Sequence, residues 1–596
     1  MRFRSRALAV LLAAGALSCI AAGGAAAADP VLPLSQVTAG MTGEARTVVR
    51  GTEITTFPVS IIDVQSSFDG PGGSIILARG EGPLMQQTGG IAEGMSGSPV
   101  YVTGADGVPR VIGAVAYGTG DQDNVIMGIT PIEQMIDSSG GRRAMELAPA
   151  APRTRAARPV VRVADRAAAL RREARDPDRI ALYPLGRWTL AGATARAAGP
   201  LRSELARSGI QLTSIGPRTI RPPVDMVPGA SMSVLLAGGD LVLGALGTVT
   251  YVDGATVLGF GHPFLSAGAS RFLLGDGYVY QVIPAPIAGA SYKLGEPGTL
   301  RGMVTGDRAD GMTATLGPVQ GVDVVSSATD TGRGTHSTVR ATLAPDERLL
   351  PLLAGLAQDE PAIRVRDGIA GGTVTLTVRL TSPALPRPIT YRNVYAAAGD
   401  AISQSSGAVT SLMSVLTDNP LVSLPVTRIE MDQVIERRVR AARIVRARVT
   451  PARVRPGRMA TLRLTLQPWR ADATTVRVRF RVPSGLGRGR VALRVLPKGR
   501  DGFFAAPADL TQQLGGEDAA LTRARLARFA RQAQRTLGPR PTKVMTAFAR
   551  TFDDRNDAVR LLAPGEDADD PTAGVTVPVP AVIYGGRANA AVRVGR

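Results

Sequence analysis

Residues 88–101 read TGGIAEGMSGSPVY: four glycines and two serines make a tight turn between apolar runs. Short runs of β character surround it, ARTVVRG (45–51), TTFPVSIIDVQ (55–65) and GSIILARG (73–80) upstream, GSPVYVT (97–103), VPRVIGAVAYG (108–118) and NVIMGITPI (124–132) from the turn onward. Gly and Asp-Gly signals punctuate them, which predicts a small closed β unit. The whole chain repeats this style. It has 596 residues, 44% hydrophobic but only 4% aromatic, with 69 Gly and 43 Pro, so we expect a mainly β protein of several domains built from Val, Leu and Ala.

Further along, LAPAAPRTRAARPVVRVADRAAALRREARDPDR (147–179) is rich in Ala, Pro and Arg and reads as a linker with a short helix. The β pattern resumes, densest in MSVLLAGGDLVLGALGTVTYVDGATVLGFGHPF (232–264), with a hairpin signal at Asp253-Gly254. NVYAAAGDAISQSSGAVTSLMSVLTDNP (393–420) reads as a helix stopped by Asn419-Pro420. Beyond it, RIVRARVTPARVRPGRMATLRLTLQPW (443–469) and TTVRVRFRVP (474–483) alternate apolar residues with Arg, the period of half-buried strands in a sandwich. A basic helical insertion is expected at 517–538, and VTVPVPAVIYGG (575–586) as returning strand. The expected divisions are a serine-bearing β lobe over 29–145, a linker over 146–185, a histidine-bearing β lobe with a terminal helix over 186–435, and an Arg-rich β-sandwich-like domain with a helical insertion over 436–596.

The first 28 residues carry three arginines, an apolar stretch and an alanine run, the layout of a secretory signal peptide cleaved after Ala28. Cys19, preceded by Ala16-Leu17-Ser18, allows a lipoprotein alternative. On the first reading the mature chain is exported to the cell envelope or beyond, has no cysteine, and is held by packing alone. No later stretch predicts a membrane-spanning helix. The net charge of +20 is uneven: residues 437–500 hold eighteen Arg and Lys498 against the single acid Asp472. Such a face attracts anionic envelope polymers; the alternative is a solvated face in an Arg-rich chain. Nucleic acid is not an expected partner, since aromatics for base stacking are scarce among the arginines.

Serine nucleophiles sit on tight turns where backbone N–H groups converge on a developing oxyanion. In Gly94-Met95-Ser96-Gly97-Ser98-Pro99, Ser96 is the better candidate, because Ser98 directly precedes proline. Gly94 can turn its N–H toward a carbonyl oxygen, with the Ser96 N–H as second donor. The alternative is a Gly/Ser turn with no chemistry. Only two histidines can act as base. His262, in GFGHPF after an apolar run, is favoured over His336, in the polar stretch TDTGRGTHSTVR (329–340). So few His and no mature Cys leave no zinc motif of usual spacing, and there is no Walker-type phosphate loop; the expected cofactor and metal complement is none.

TGGIAEGMSGSPVY with VIGAVAYG and GITPIEQMI resembles the serine block of the sporulation stage IV B serine peptidases, and GTVTYVDGATVLGFGHPF (247–264) resembles their histidine block, the two blocks standing in exchanged order. The resemblance implies an exported serine endopeptidase with a chymotrypsin-like β-barrel fold, acting on a protein or peptide substrate or on itself, with Ser96 as nucleophile and His262 as base then acid. The position matching the family's acid is Glu81, in ARGEGPLMQQ (78–87), with Asp63 and Asp69 as rivals. A second hypothesis of another class is an inactive peptidase-like envelope scaffold whose basic C-terminal domain binds.

Overall fold

The computed structural model describes residues 28–66, 73–119, 124–140, 160–163, 166–176, 180–207, 210–216, 219–284, 290–366, 368–419, 423–499, 552, 555–568, 570 and 573–595. The N-terminal signal with Cys19, the acid Asp69 and the helical insertion expected at 517–538 lie outside the described residues.

The chain is mainly β. All six runs picked out between residues 45 and 132 are strands: β1 (Thr42–Val48), β2 (Ile54–Ser66), β3 (Ser74–Gly80), β4 (Pro99–Thr103), β5 (Pro109–Thr119) and β6 (Ile126–Pro131). They pair antiparallel in the order β4-β1-β2-β3-β6-β5, and β5 returns to β4, closing a six-stranded barrel. Closure satisfies the backbone that an edge strand would leave open. Phe57, Val59, Ile76, Ala78, Val100, Ile112, Val115 and Ile129 pack in its core. Helix α1 (Pro83–Thr88) precedes the serine turn and α2 (Ile132–Ser138) follows β6.

Next come β7 (Val160–Arg162), α3 (Arg166–Arg175), β8 (Ile180–Pro184), β9 (Trp188–Ala191), α4 (Gly199–Arg207) and β10 (Leu212–Ile215). The Ala/Pro/Arg stretch thus contributes structure to the first barrel, because β8 pairs antiparallel with the end of β5, Thr119 opposite Leu182 and Tyr117 opposite Pro184.

A second ring follows, from β11 (Ser231–Gly239), β12 (Val242–Asp253), β13 (Thr256–Gly259), β14 (Gly268–Ile283), β15 (Tyr292–Arg308) and β16 (Gly311–Leu316). These pair antiparallel in the order β12-β13-β16-β15-β14-β11, and β11 returns to β12. The hairpin signal at Asp253-Gly254 is the β12–β13 turn. Through a β11–β18 pairing the sheet continues into β17 (Val322–Asp330), β18 (Thr335–Leu343), β19 (Gly372–Thr381), β20 (Ile389–Ala397) and β21 (Arg428–Glu436), in the order β18-β17-β21-β19-β20. Helix α5 (Leu350–Arg366) packs on β17 and β18, with α6 (Ala401–Ser405) and α7 (Ala408–Thr417) beside it. The stretch read as one helix over 393–420 therefore begins as strand. NVYAAA pairs with β19, and helix starts only where Asp400 caps α6 by accepting the N–H groups of Ile402 and Ser403 at 3.2 Å.

The C-terminal region is a two-sheet sandwich. Its strands are β22 (Ala441–Thr450), β23 (Arg453–Val454), β24 (Met459–Pro468), β25 (Thr474–Arg481), β26 (Gly489–Pro497), β27 (Ala558–Leu562), β28 (Val575–Pro578), β29 (Val582–Gly585) and β30 (Ala588–Val594). The sheets β25-β24-β22-β29 and β23-β30-β26-β27-β28 enclose Ile444, Leu462, Leu464, Leu493, Val495, Leu561 and Val592.

Candidate active site

The serine turn springs from the first barrel and is fastened to the second. Its backbone folds on itself through Met95 N–H to Ala92 O (2.9 Å) and Ser98 N–H to Met95 O (3.0 Å), while Gly97 N–H reaches Val115 O of β5 at 2.7 Å. Both flanking glycines take the left-handed region, Gly94 at φ 90° and Gly97 at φ 93°, where a side chain would be strained. From the second barrel, Thr248 N–H donates to Ser96 O and Thr250 Oγ1 to Gly97 O, each at 2.7 Å. A Cβ placed on Gly97 would lie 1.9 Å from Thr248 O and 2.5 Å from Phe260 N, so the barrels touch backbone to backbone at this residue. Ser96 is fully buried there, and its hydroxyl makes no hydrogen bond among the described residues.

His262 comes from the loop between β13 and β14. Phe260 and Gly261 before it both have positive φ, 66° and 64°, an unusual and strained conformation for a buried Phe. The loop packs on β5, where a Cβ on Gly261 would meet the Cβ atoms of Ala116 and Ala114 at 3.0 and 3.1 Å, and Thr130 Oγ1 donates to Gly261 O at 2.5 Å. His262 Nδ1 lies 2.8 Å from Pro263 O, so this nitrogen carries the proton. Nε2 is left with its lone pair and has no partner among the described residues. Burial, helped by the charge of Arg162, drives the imidazole pKa down to about 4, so the ring is neutral near pH 7. The structure thus brings the serine turn of one barrel and the histidine loop of the other to a single seam, as Gly97 against Phe260 shows.

The acids are arranged differently from the expectation. Glu81 is exposed and accepts from Ser60 Oγ at 2.6 Å, and Asp63 accepts its neighbour's N–H, from Val64, at 2.8 Å. The group engaging His262 Nδ1 is a backbone carbonyl instead of a carboxylate. His336 lies in β18, exposed between Thr329 and Thr338 hydroxyls at 3.0 Å each.

Three charged residues that sequence reasoning passed over stand around the seam. Asp307, fully buried at the end of β15, accepts the N–H groups of Phe264, Leu265 and Ala267 at 2.7, 2.8 and 3.0 Å and so fixes the chain leaving His262. Glu93, beside Gly94, pairs with Arg187 at 2.6 Å; burial still pushes its carboxyl up to about 7. Lys293 is buried with no carboxylate partner among the described residues, donating to the hydroxyls of Thr47 (2.9 Å) and Thr248 (3.3 Å), and desolvation brings its pKa down to about 7. Its stem packs under the serine turn, 3.2–3.3 Å from where a Gly94 Cβ would sit. One signal was available: the chain has only three lysines among 69 basic residues.

Residues 25–136 match the family model of the SpoIVB peptidase S55. The match takes in the whole first barrel with Ser96 and ends before His262. No curated protein and no solved structure matches the chain. The family match supports a serine peptidase.

Proposed function

Starting from that match, we propose that the chain is an exported serine endopeptidase in which Ser96 is the nucleophile, His262 the general base and acid, and the Gly94 and Ser96 N–H groups the oxyanion donors. The observation that carries it is a pair of buried atoms without partners among the described residues, Ser96 Oγ and His262 Nε2, on two loops packed together across the barrel seam. Ser96 Oγ attacks a peptide carbonyl carbon and passes its proton to His262 Nε2. The oxyanion is held by the two N–H groups, the C–N bond breaks, and the amine leaves with the proton from Nε2. Water, deprotonated by the same nitrogen, then hydrolyses the acyl ester. Pro263 O holds Nδ1–H throughout and so supports the tautomer that a base requires. Glu81 has no part in this scheme.

A fluorophosphonate probe tests it. Wild type is expected to label at Ser96, and Ser96→Ala and His262→Ala to lose labelling while staying folded. The rate is expected to hold above pH 5 and fall as pH drops through about 4, since the depressed imidazole pKa keeps the base neutral down to that point. Undiminished labelling of Ser96→Ala, or none of folded wild type and folded Arg187→Ala alike, sinks the proposal. In the latter case the inactive scaffold takes the lead, favoured by the full burial of Ser96.

The sandwich supports an anionic envelope polymer as a second partner. Arg448, Arg463 and Arg477 stand directly opposite one another on β22, β24 and β25, all exposed. Like charges in register repel, so a row of this kind gains from a polyanion laid across it. Full-length protein is expected to be retained on an anionic polymer resin at low salt and released as salt rises, with Arg463→Glu eluting earlier. Equal elution of the variant would refute the role of this row.

A further inference from the structure

The seam already contains a peptide. After β8 leaves its antiparallel pairing with the end of β5, Leu185 N–H donates to Ala116 O at 3.1 Å, continuing the same ladder. Leu185 O then accepts the Gly94 N–H at 3.1 Å, the first of the two proposed oxyanion donors. One residue on, a Cβ at Gly186 would lie 3.5 Å from His262 Cε1. Arg187 anchors the far side, paired to Glu93 at 2.6 Å and stacked over the Tyr292 ring at 4.2 Å. Among the described residues the second oxyanion donor, the Ser96 N–H, has no acceptor.

An extended strand added to a sheet edge, with its last carbonyl on an oxyanion donor and the following residue at the base, is how a serine peptidase would hold the bond it cleaves. We propose that residues 182–187 lie along the substrate track as a tethered peptide with the Leu185–Gly186 bond at the reaction centre, and that the site accepts extended peptides bearing a leucine-sized aliphatic residue before the scissile bond. The inference rests on the serine peptidase reading. The Leu185 side chain marks the specificity chamber: it is fully buried in the apolar cluster with Val115, Ala181 and Tyr183. Gly118 forms part of the wall, since a Cβ there would come 3.1 Å from Leu185 Cδ2. That chamber offers leucine apolar contact and would desolvate a charged side chain without a partner. The tether supplies a local concentration of about millimolar or more, so free substrate at micromolar levels is excluded until the strand is displaced.

Two readouts on the full chain test this. Arg187→Ala, which frees the anchor, is expected to raise the rate of fluorophosphonate labelling of Ser96 at least tenfold. On wild type, where no variant need fold, a peptidyl leucinal is expected to protect Ser96 from the probe at least tenfold more potently than the matching lysinal or aspartal. Scission between Leu185 and Gly186 that is absent from Ser96→Ala also supports the proposal, because it requires that bond at the reaction centre. Ser96 labelling that is indifferent both to Arg187→Ala and to the aldehyde side chain overturns the tethered peptide and leaves the peptidase reading standing. Failure of Ser96 to label in wild type and in folded Arg187→Ala sinks both.

Discussion

Gly97→Ala is expected to abolish labelling of Ser96 and to cost the protein about 3–5 kcal/mol of stability. Two penalties coincide at this residue. Its φ of 93° is open to glycine and costs about 1–3 kcal/mol with a side chain. The added methyl would also sit 1.9 Å from Thr248 O and 2.5 Å from Phe260 N, both main-chain atoms of the second barrel that cannot rotate away. Relief requires the barrels to part, which stretches the bonds from Thr248 N–H to Ser96 O and from Thr250 Oγ1 to Gly97 O. Gly107→Ala is the control, since its φ of 77° carries the conformational cost but nothing lies within 4 Å. Urea denaturation of the two variants, with probe labelling at a temperature where both are folded, decides the matter. Equal midpoints would mean that the seam yields more easily than its backbone contacts imply.

Asp307→Ala is the second large loss. The carboxylate serves three N–H groups of the chain just after His262, and hydrogen bonds to a charged group contribute about 1.5–3 kcal/mol each. Removing it orphans these donors in an interior where Asp307 itself is fully buried, so about 4–6 kcal/mol is expected. The loop then no longer holds the imidazole at the seam, and labelling falls even where the barrels remain folded. Asp307→Asn, which keeps one acceptor and turns an amide NH2 toward N–H groups, should lie between. A cost below about 1 kcal/mol for the alanine variant would show that the loop is held by its packing on β5.

The first barrel was legible because its six strands are runs rich in Val, Ile and Thr separated by glycine turns, although only β1 and β2 alternate and β3 to β6 are buried almost throughout. The sandwich was legible through its alternation, with Arg477, Arg479 and Arg481 pointing outward between Val476, Val478 and Phe480. Helix α5 was not: Leu353, Ala354, Leu356, Ala357 and Ala362 are buried along with Gln358 and Glu360, so no polar stripe betrays its period. The strand start of NVYAAAGD was hidden by alanine, which favours helix until tertiary pairing decides. At the candidate site, glycine-rich turns and histidine scarcity singled out Ser96 and His262, and the structure places their loops at one seam. Asp307 and Lys293 lie 45 and 197 residues from the motifs they serve, His262 and Ser96, and only the ring closure of the second barrel brings them in. An orienting group that is a main-chain carbonyl, Pro263 O, leaves no mark in a sequence at all.

Each barrel closes within one continuous run of chain, and this sets an order in time. The serine barrel is complete at Pro131, the strand leading into Leu185 follows, and His262 comes last. A chain delivered N-terminus first presents the stretch from Pro131 to His262 only after the serine barrel. Throughout that stretch the serine exists without a base. On the proposed mechanism the leucine strand is in place before the histidine, so a folding molecule would at no moment be both armed and open.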